Sequence, residues 1–120
     1  ESWTEARRKN ASLYNELLSN VDGITTPREA DYTRHVYHIY AIRVQNRDEL
    51  IEKLAEKEIF CGIHYPIPLH LQEAYSFLGL GKGSFPVAEK CAEEFVSLPM
   101  FPELTEAQIK YTTDEIKKLL

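Results

Sequence analysis

Residues 62–70 read GIHYPIPLH, and these nine positions hold His64, Tyr65 and His70 together with Pro66 and Pro68. Each proline fixes its own φ and biases the preceding residue towards extended backbone, so the segment is expected to be a stiff, non-helical arm. Such an arm suits the presentation of hydrogen-bond donors to a ligand. The same side chains can equally cap backbone groups at a strand end, and the residues by themselves leave both readings open. A second proline-braced segment, SLPMFP, spans residues 97–102.

Other combinations carry less chemistry. GLGKGS, residues 79–84, lacks the spacer and the Ser or Thr after its lysine that a phosphate loop needs, and no strand precedes it. His64 and His70 with Cys61 or Cys91 do not have the spacing of a zinc-ligand set. Cys61 sits between Phe60 and Gly62 in a strand-like run, which suits a core thiol better than a nucleophile paired with a histidine. His35 and His38, beside or within a strand pattern, read as structural or solvent-facing.

Several elements have to position the arm. Trp3, Ala6, Leu13, Tyr14, Leu17, Leu18 and Val21 recur at helical spacing, Ser2 with Glu5 offers a capping box, and Asp22-Gly23 ends the helix. ITTP and the polar run 28–34 read as a connection. VYHIYAIRV, residues 36–44, reads as a central strand, with His38, Tyr40, Ile42 and Val44 on one face. Asn46 with Glu49 opens a second helix, and IFCGIHY, residues 59–65, reads as a strand leading into the arm. A short helix over 69–78 follows, then the glycine turn. Ser84 and Pro86 start a helix that turns Ala88, Cys91, Ala92 and Phe95 inward. VSLPM reads as a strand, and Thr105 with Gln108 caps a final helix through Ile109, Thr112, Ile116 and Leu119. The pattern predicts an α+β fold, a small antiparallel or mixed sheet of about three strands with helices packed on it.

Composition narrows the partners. The 120 residues suit one domain, and a net charge of −5 leaves no basic excess for nucleic acid or an anionic membrane surface. Two cysteines outside any CxxC pattern, with no signal-like or long apolar run, point to a cytoplasmic setting. The chain begins at Glu1 and its one methionine is Met100, so a fragment of a larger protein is expected.

WTEARRKNASLYNELL, HVYHIYAIRV, IFCGIHYPIPLHLQEAY and FPVAEKCAEEFVSLPMFPELTEAQI, in that order, resemble the C-terminal portion of the DegT/DnrJ/EryC1/StrS aminotransferases. The resemblance spans nearly the whole chain and implies the small C-terminal domain of the aspartate-aminotransferase fold, residues 1–120 forming that single domain. It implies a pyridoxal-phosphate enzyme, a homodimer, that moves an amino group from glutamate to a nucleotide-linked keto sugar. The imine-forming lysine and most cofactor contacts would lie in an N-terminal large domain absent here, so no catalytic residue is expected in this chain and it should be inactive alone. By the matching motif, His64, Tyr65 and His70 are implied as substrate contacts, with His38 beside them. Glu73 stands where the family often has proline, which affects only the local turn. Two alternatives remain at this point: a freestanding small-ligand-binding or regulatory module, and the family's dehydratase branch, in which histidine replaces the imine lysine.

Overall fold

The computed structural model describes residues 1–120. Helix α1, Ser2–Leu18, buries Ala11, Tyr14 and Leu18. Its start differs from the expected capping box. Ser2 lies inside the first turn, Glu1 is the N-cap without a side-chain bond, and the Glu5 carboxylate is engaged by Arg34. An ion pair across the connection thus takes the side chain that the box required. The chain then turns at Gly23, whose φ of 83° is open to glycine without a Cβ penalty.

Three strands form an antiparallel sheet in the order β1-β2-β3: β1 is Ile24–Thr25, β2 Tyr40–Val44 and β3 Phe95–Leu98. Ile24 pairs with Val44, and Tyr40 and Ile42 pair with Leu98 and Val96. Two strands of the sequence reading are revised. β2 is central as expected, yet it begins at Tyr40, because Tyr37 adopts a φ of 45° and donates its N–H to His35 Nδ1 at 2.9 Å. A local side-chain bond of this kind competes with the ladder. It leaves Tyr37 buried and His38 exposed ahead of the sheet. The IFCGIHY run supplies a single bridge, Gly62 to Ser97, while the ITTP segment supplies β1. Pro66 and Pro68 cannot donate to a ladder, so the run cannot extend into the arm.

Alternation along β2 puts Tyr40, Ile42 and Val44 into the core and leaves Ala41 and Arg43 half-buried. The core face meets α1 and α4, Glu106–Leu119, through Tyr14, Leu18, Ile109 and Ile116. Helix α2, Arg47–Ala55, adds Leu50 and Leu54. Towards the other face, α3, Pro86–Glu94, is tied by Arg43, which donates to Glu94 at 2.7 and 2.9 Å. The capping box of α4 forms as read: Thr105 Oγ1 accepts from Gln108 N, and the Gln108 side chain accepts from Thr105 N.

The accessible surface is 7969 Å², against about 6,700 Å² for a compact monomer of 13.9 kDa. The radius of gyration, 15.6 Å, exceeds the roughly 13.6 Å of a compact 120-residue domain. Most of the exposed large apolar side chains lie in the second half of the chain, among them Tyr65, Ile67, Leu69, Phe77, Phe85 and Val87. No helix is long and apolar enough to cross a membrane.

Candidate functional site

The arm leaves the sheet at a rung made by two backbone bonds, Gly62 N to Ser97 O at 3.0 Å and Ser97 N to Gly62 O at 2.8 Å. His64 folds back over this rung, its Nδ1 2.9 Å from Ser97 Oγ. The His64–Tyr65 peptide is cis, and the two rings meet edge to face with centroids 5.5 Å apart. His64 is exposed, and Tyr65 is 71% exposed beside it. An imidazole held by a buried serine and a phenol ring set edge to face against it therefore sit together at the surface.

His70 is different. The expected short helix is two 3₁₀ turns, Leu69–Leu71 and Glu73–Leu78, and the first carries His70 inward until it is 8% exposed. Its Nε2 lies 2.8 Å from Glu89 Oε1, and its ring packs edge-on against Phe85. Glu89 also accepts from Gly83 N at 2.9 Å and Phe85 N at 3.2 Å. The Gly83 N–H first, and then His70, hold its carboxyl below the ordinary value, against the opposing effect of burial. The GLGKG turn thus directs a backbone donor at a carboxylate of the chain itself. Tyr65 and His70 line one groove of about 440 Å³ with Ile67, Leu69, Phe85 and Cys91.

His38 lines a different depression, of about 320 Å³, with Trp3, Arg7, Met100, Phe101 and Pro102. The structure brings Tyr65 and His70 to one groove, sets His64 against Tyr65, and leaves His38 apart from that groove. Ser97, Gly62 and Glu89 were not singled out from the sequence. Ser97 had a signal, as a hydroxyl inside the apolar VSLPM strand; Glu89, on a helix rich in charge, had none.

The remaining chemistry is quiet. Burial pushes the Cys61 thiol up to about 11, so it is a thiol rather than a thiolate at neutral pH. No group of three or more His, Cys, Asp or Glu side chains is placed to hold a metal. Lys53 is half-buried and every other lysine is exposed. Lys110 and Lys118 are raised above the ordinary value by Glu106 and Glu115, the opposite of a desolvated amine. The lysines of this chain do not fit the imine-forming role in a pyridoxal-phosphate site.

A profile of the DegT/DnrJ/EryC1/StrS aminotransferase family matches residues 1–117, and the chain belongs to that family. A "pleiotropic regulatory protein" of Geobacillus stearothermophilus is 48% identical over 118 residues, covering 97% of this chain and 32% of the relative. The "dTDP-3-amino-3,4,6-trideoxy-alpha-D-glucose transaminase" of Streptomyces venezuelae is 35% identical over 118 residues, 98% of this chain and 31% of its own. Among solved structures, S. venezuelae DesV in complex with a ketimine intermediate superposes with a TM-score of 0.94 at 35% identity, covering 98% of this chain and 32% of that one. A family aminotransferase from Brucella abortus gives 0.90, also at 35% identity, over 99% of this chain and 31% of that one. The chain spans about a third of the length of these relatives. Its fold is that of the corresponding part of the aspartate-aminotransferase-fold sugar aminotransferases.

Proposed function

We propose that this chain is the C-terminal small domain of a pyridoxal-phosphate-dependent aminotransferase that moves an amino group from glutamate to a nucleotide-linked keto sugar. Pairing as a homodimer in the cytoplasm belongs to the same reading. The observation that carries it is the surface pair His64 and Tyr65 on a braced arm, in a chain of this family. Pyridoxal phosphate, when bound, supplies the electron sink for moving the amino group, and the groups that hold it belong to the rest of the protein. This chain's part is on the substrate side. His64 and Tyr65 hydrogen-bond the sugar or diphosphate oxygens, for which an imidazole N–H and a phenol O–H are suitable donors. His70 belongs to the same margin and acts from below the surface, through the groove that it lines with Tyr65. His38 is a contact only if substrate reaches the second depression, beside Arg7 and Trp3.

In the complete polypeptide, His64→Ala should raise KM for the sugar nucleotide by about tenfold, the loss of one hydrogen bond to a charged group. The glutamate half-reaction should be unchanged. Steady-state and single-turnover kinetics separate the two, and unchanged sugar kinetics would remove His64 from the site.

Two relatives named for regulation, the "pleiotropic regulatory protein" of Geobacillus stearothermophilus and the "Erythromycin biosynthesis sensory transduction protein EryC1" of Saccharopolyspora erythraea, favour a second reading, a regulatory module that binds a small ligand through the same arm. The complete polypeptide with pyridoxal phosphate decides. A cofactor absorbance band that forms and collapses with L-glutamate supports the transaminase. A band indifferent to glutamate supports the dehydratase branch, and no band in folded protein supports the regulator.

A further inference from the structure

We infer that Ser97 and Gly62 are positioning residues for His64, and that Ser97 fixes the ring in the tautomer that offers an Nε2–H outward. The substrate-side role of His64 in the reading above is what gives this positioning its purpose.

Three features of the rung converge on the ring. Its two backbone bonds, 3.0 and 2.8 Å, lock residues 62 and 97 to each other, so the base of the arm and β3 move as one piece. The imidazole then lies across Gly62 so closely that a Cβ added there would stand 2.9 Å from His64 Cε1. Real Cβ contacts do not come that near, so the ring can occupy this place only over glycine. Its φ is not in the left-handed region, so glycine is required here by space and not by backbone conformation. Finally, His64 Nδ1 meets Ser97 Oγ at 2.9 Å, and Ser97 is only 6% exposed.

The polarity of that last bond follows from satisfaction. The Ser97 hydroxyl has His64 Nδ1 as its one side-chain partner, and no buried polar side-chain atom of the protein is left unpaired. A buried hydroxyl proton goes to an acceptor, and Nδ1 is the acceptor within reach. With Nδ1 accepting, the neutral ring carries its proton on Nε2. An outward N–H matches sugar and phosphate oxygens, which accept; the other tautomer would point a lone pair at them.

The test uses the complete polypeptide with ¹⁵N-labelled histidine, the His64 signals being identified by their loss in His64→Ala. Wild type should show Nδ1 as acceptor and Nε2 protonated at a pH where the ring is neutral. Ser97→Ala should move both nitrogens towards the averaged shifts of a free, two-tautomer ring, and Ser97→Thr should restore them. Gly62→Ala should displace the ring and give the same averaged shifts, the side chain rather than the sheet being what yields. With dTDP- and UDP-linked 3-keto hexoses, Ser97→Ala and Gly62→Ala should each raise KM several-fold, hold kcat within about twofold, and add nothing in the His64→Ala background. An averaged ring in wild type, or ring signals that ignore Ser97→Ala, overturns the positioning whatever the kinetics. Ring signals that behave as stated, with His64→Ala kinetically silent, uphold the positioning and overturn the substrate reading instead.

Discussion

The two halves of this molecule are held by different forces. In one, β2, β3, α1 and α4 bury Tyr14, Leu18, Tyr40, Ile42, Ile109 and Ile116 completely. In the other, residues 60–88 include one buried residue, His70, and several exposed large apolar side chains. Burial of apolar surface stabilises the first half, at roughly 25 cal/mol per Å². The second is fastened mainly by polar bonds: the Gly62–Ser97 backbone rung, His64 with Ser97, and Glu89 with His70, Gly83 and Phe85. A few directional bonds can fix a geometry without supplying much stability, and that combination suits a surface completed by something else.

The contrast can be broken at either end. Ile116→Ala should cost about 2–5 kcal/mol by urea denaturation, the usual loss for a buried aliphatic side chain. Protection of the Gly83 and Phe85 amides should change with it only as far as global unfolding requires. Loss of arm protection at lower urea than the core would sharpen the division, and a single step for both would abolish it. The converse change is Glu89→Ala. It removes the acceptor of His70, Gly83 and Phe85, so amide exchange at 83 and 85 should quicken at least tenfold, while the urea midpoint of the core stays in place. A core that melts earlier would show that the arm is part of the main cooperative unit.

The gentlest test is acid. Folding holds the Glu89 carboxyl below its ordinary 4.5, so its contribution is fully present above that pH and is lost as pH falls through the lower folded value. Arm amides should therefore lose protection below about pH 4.5 while α1 and α4 keep theirs. Equal loss in both regions would mean that Glu89 is not what secures the arm.

How much of this was legible depended on the range of the interaction. The final helix could be read because Thr105 and Gln108 are three residues apart and serve each other. The capping box at Ser2 could not, since Arg34 reaches from far along the chain to take Glu5. The first residues of the β2 run looked like strand by type, but a bond between His35 and the Tyr37 amide turned them out of the sheet. IFCGIHY has strand composition, and only Gly62 found a partner in Ser97. In the arm, the prolines pointed to extended backbone, which Pro68 adopts with φ −60° and ψ 147°, and the family pattern pointed to the histidines. That His70 turns inward to Glu89, while His64 stays out over Ser97, is a matter of tertiary contact with residues 19 and 33 positions away.

The glycine turn at 79–83 has one more consequence. Its amide donor at Gly83, with that of Phe85, binds a carboxylate fixed in the same chain, both Glu89 oxygens lying 2.9 Å from Gly83 N. A tethered anion competes at an effective concentration of about millimolar or more, without the cost of bringing two molecules together. Free phosphate in the surrounding solution is therefore a poor rival for this turn.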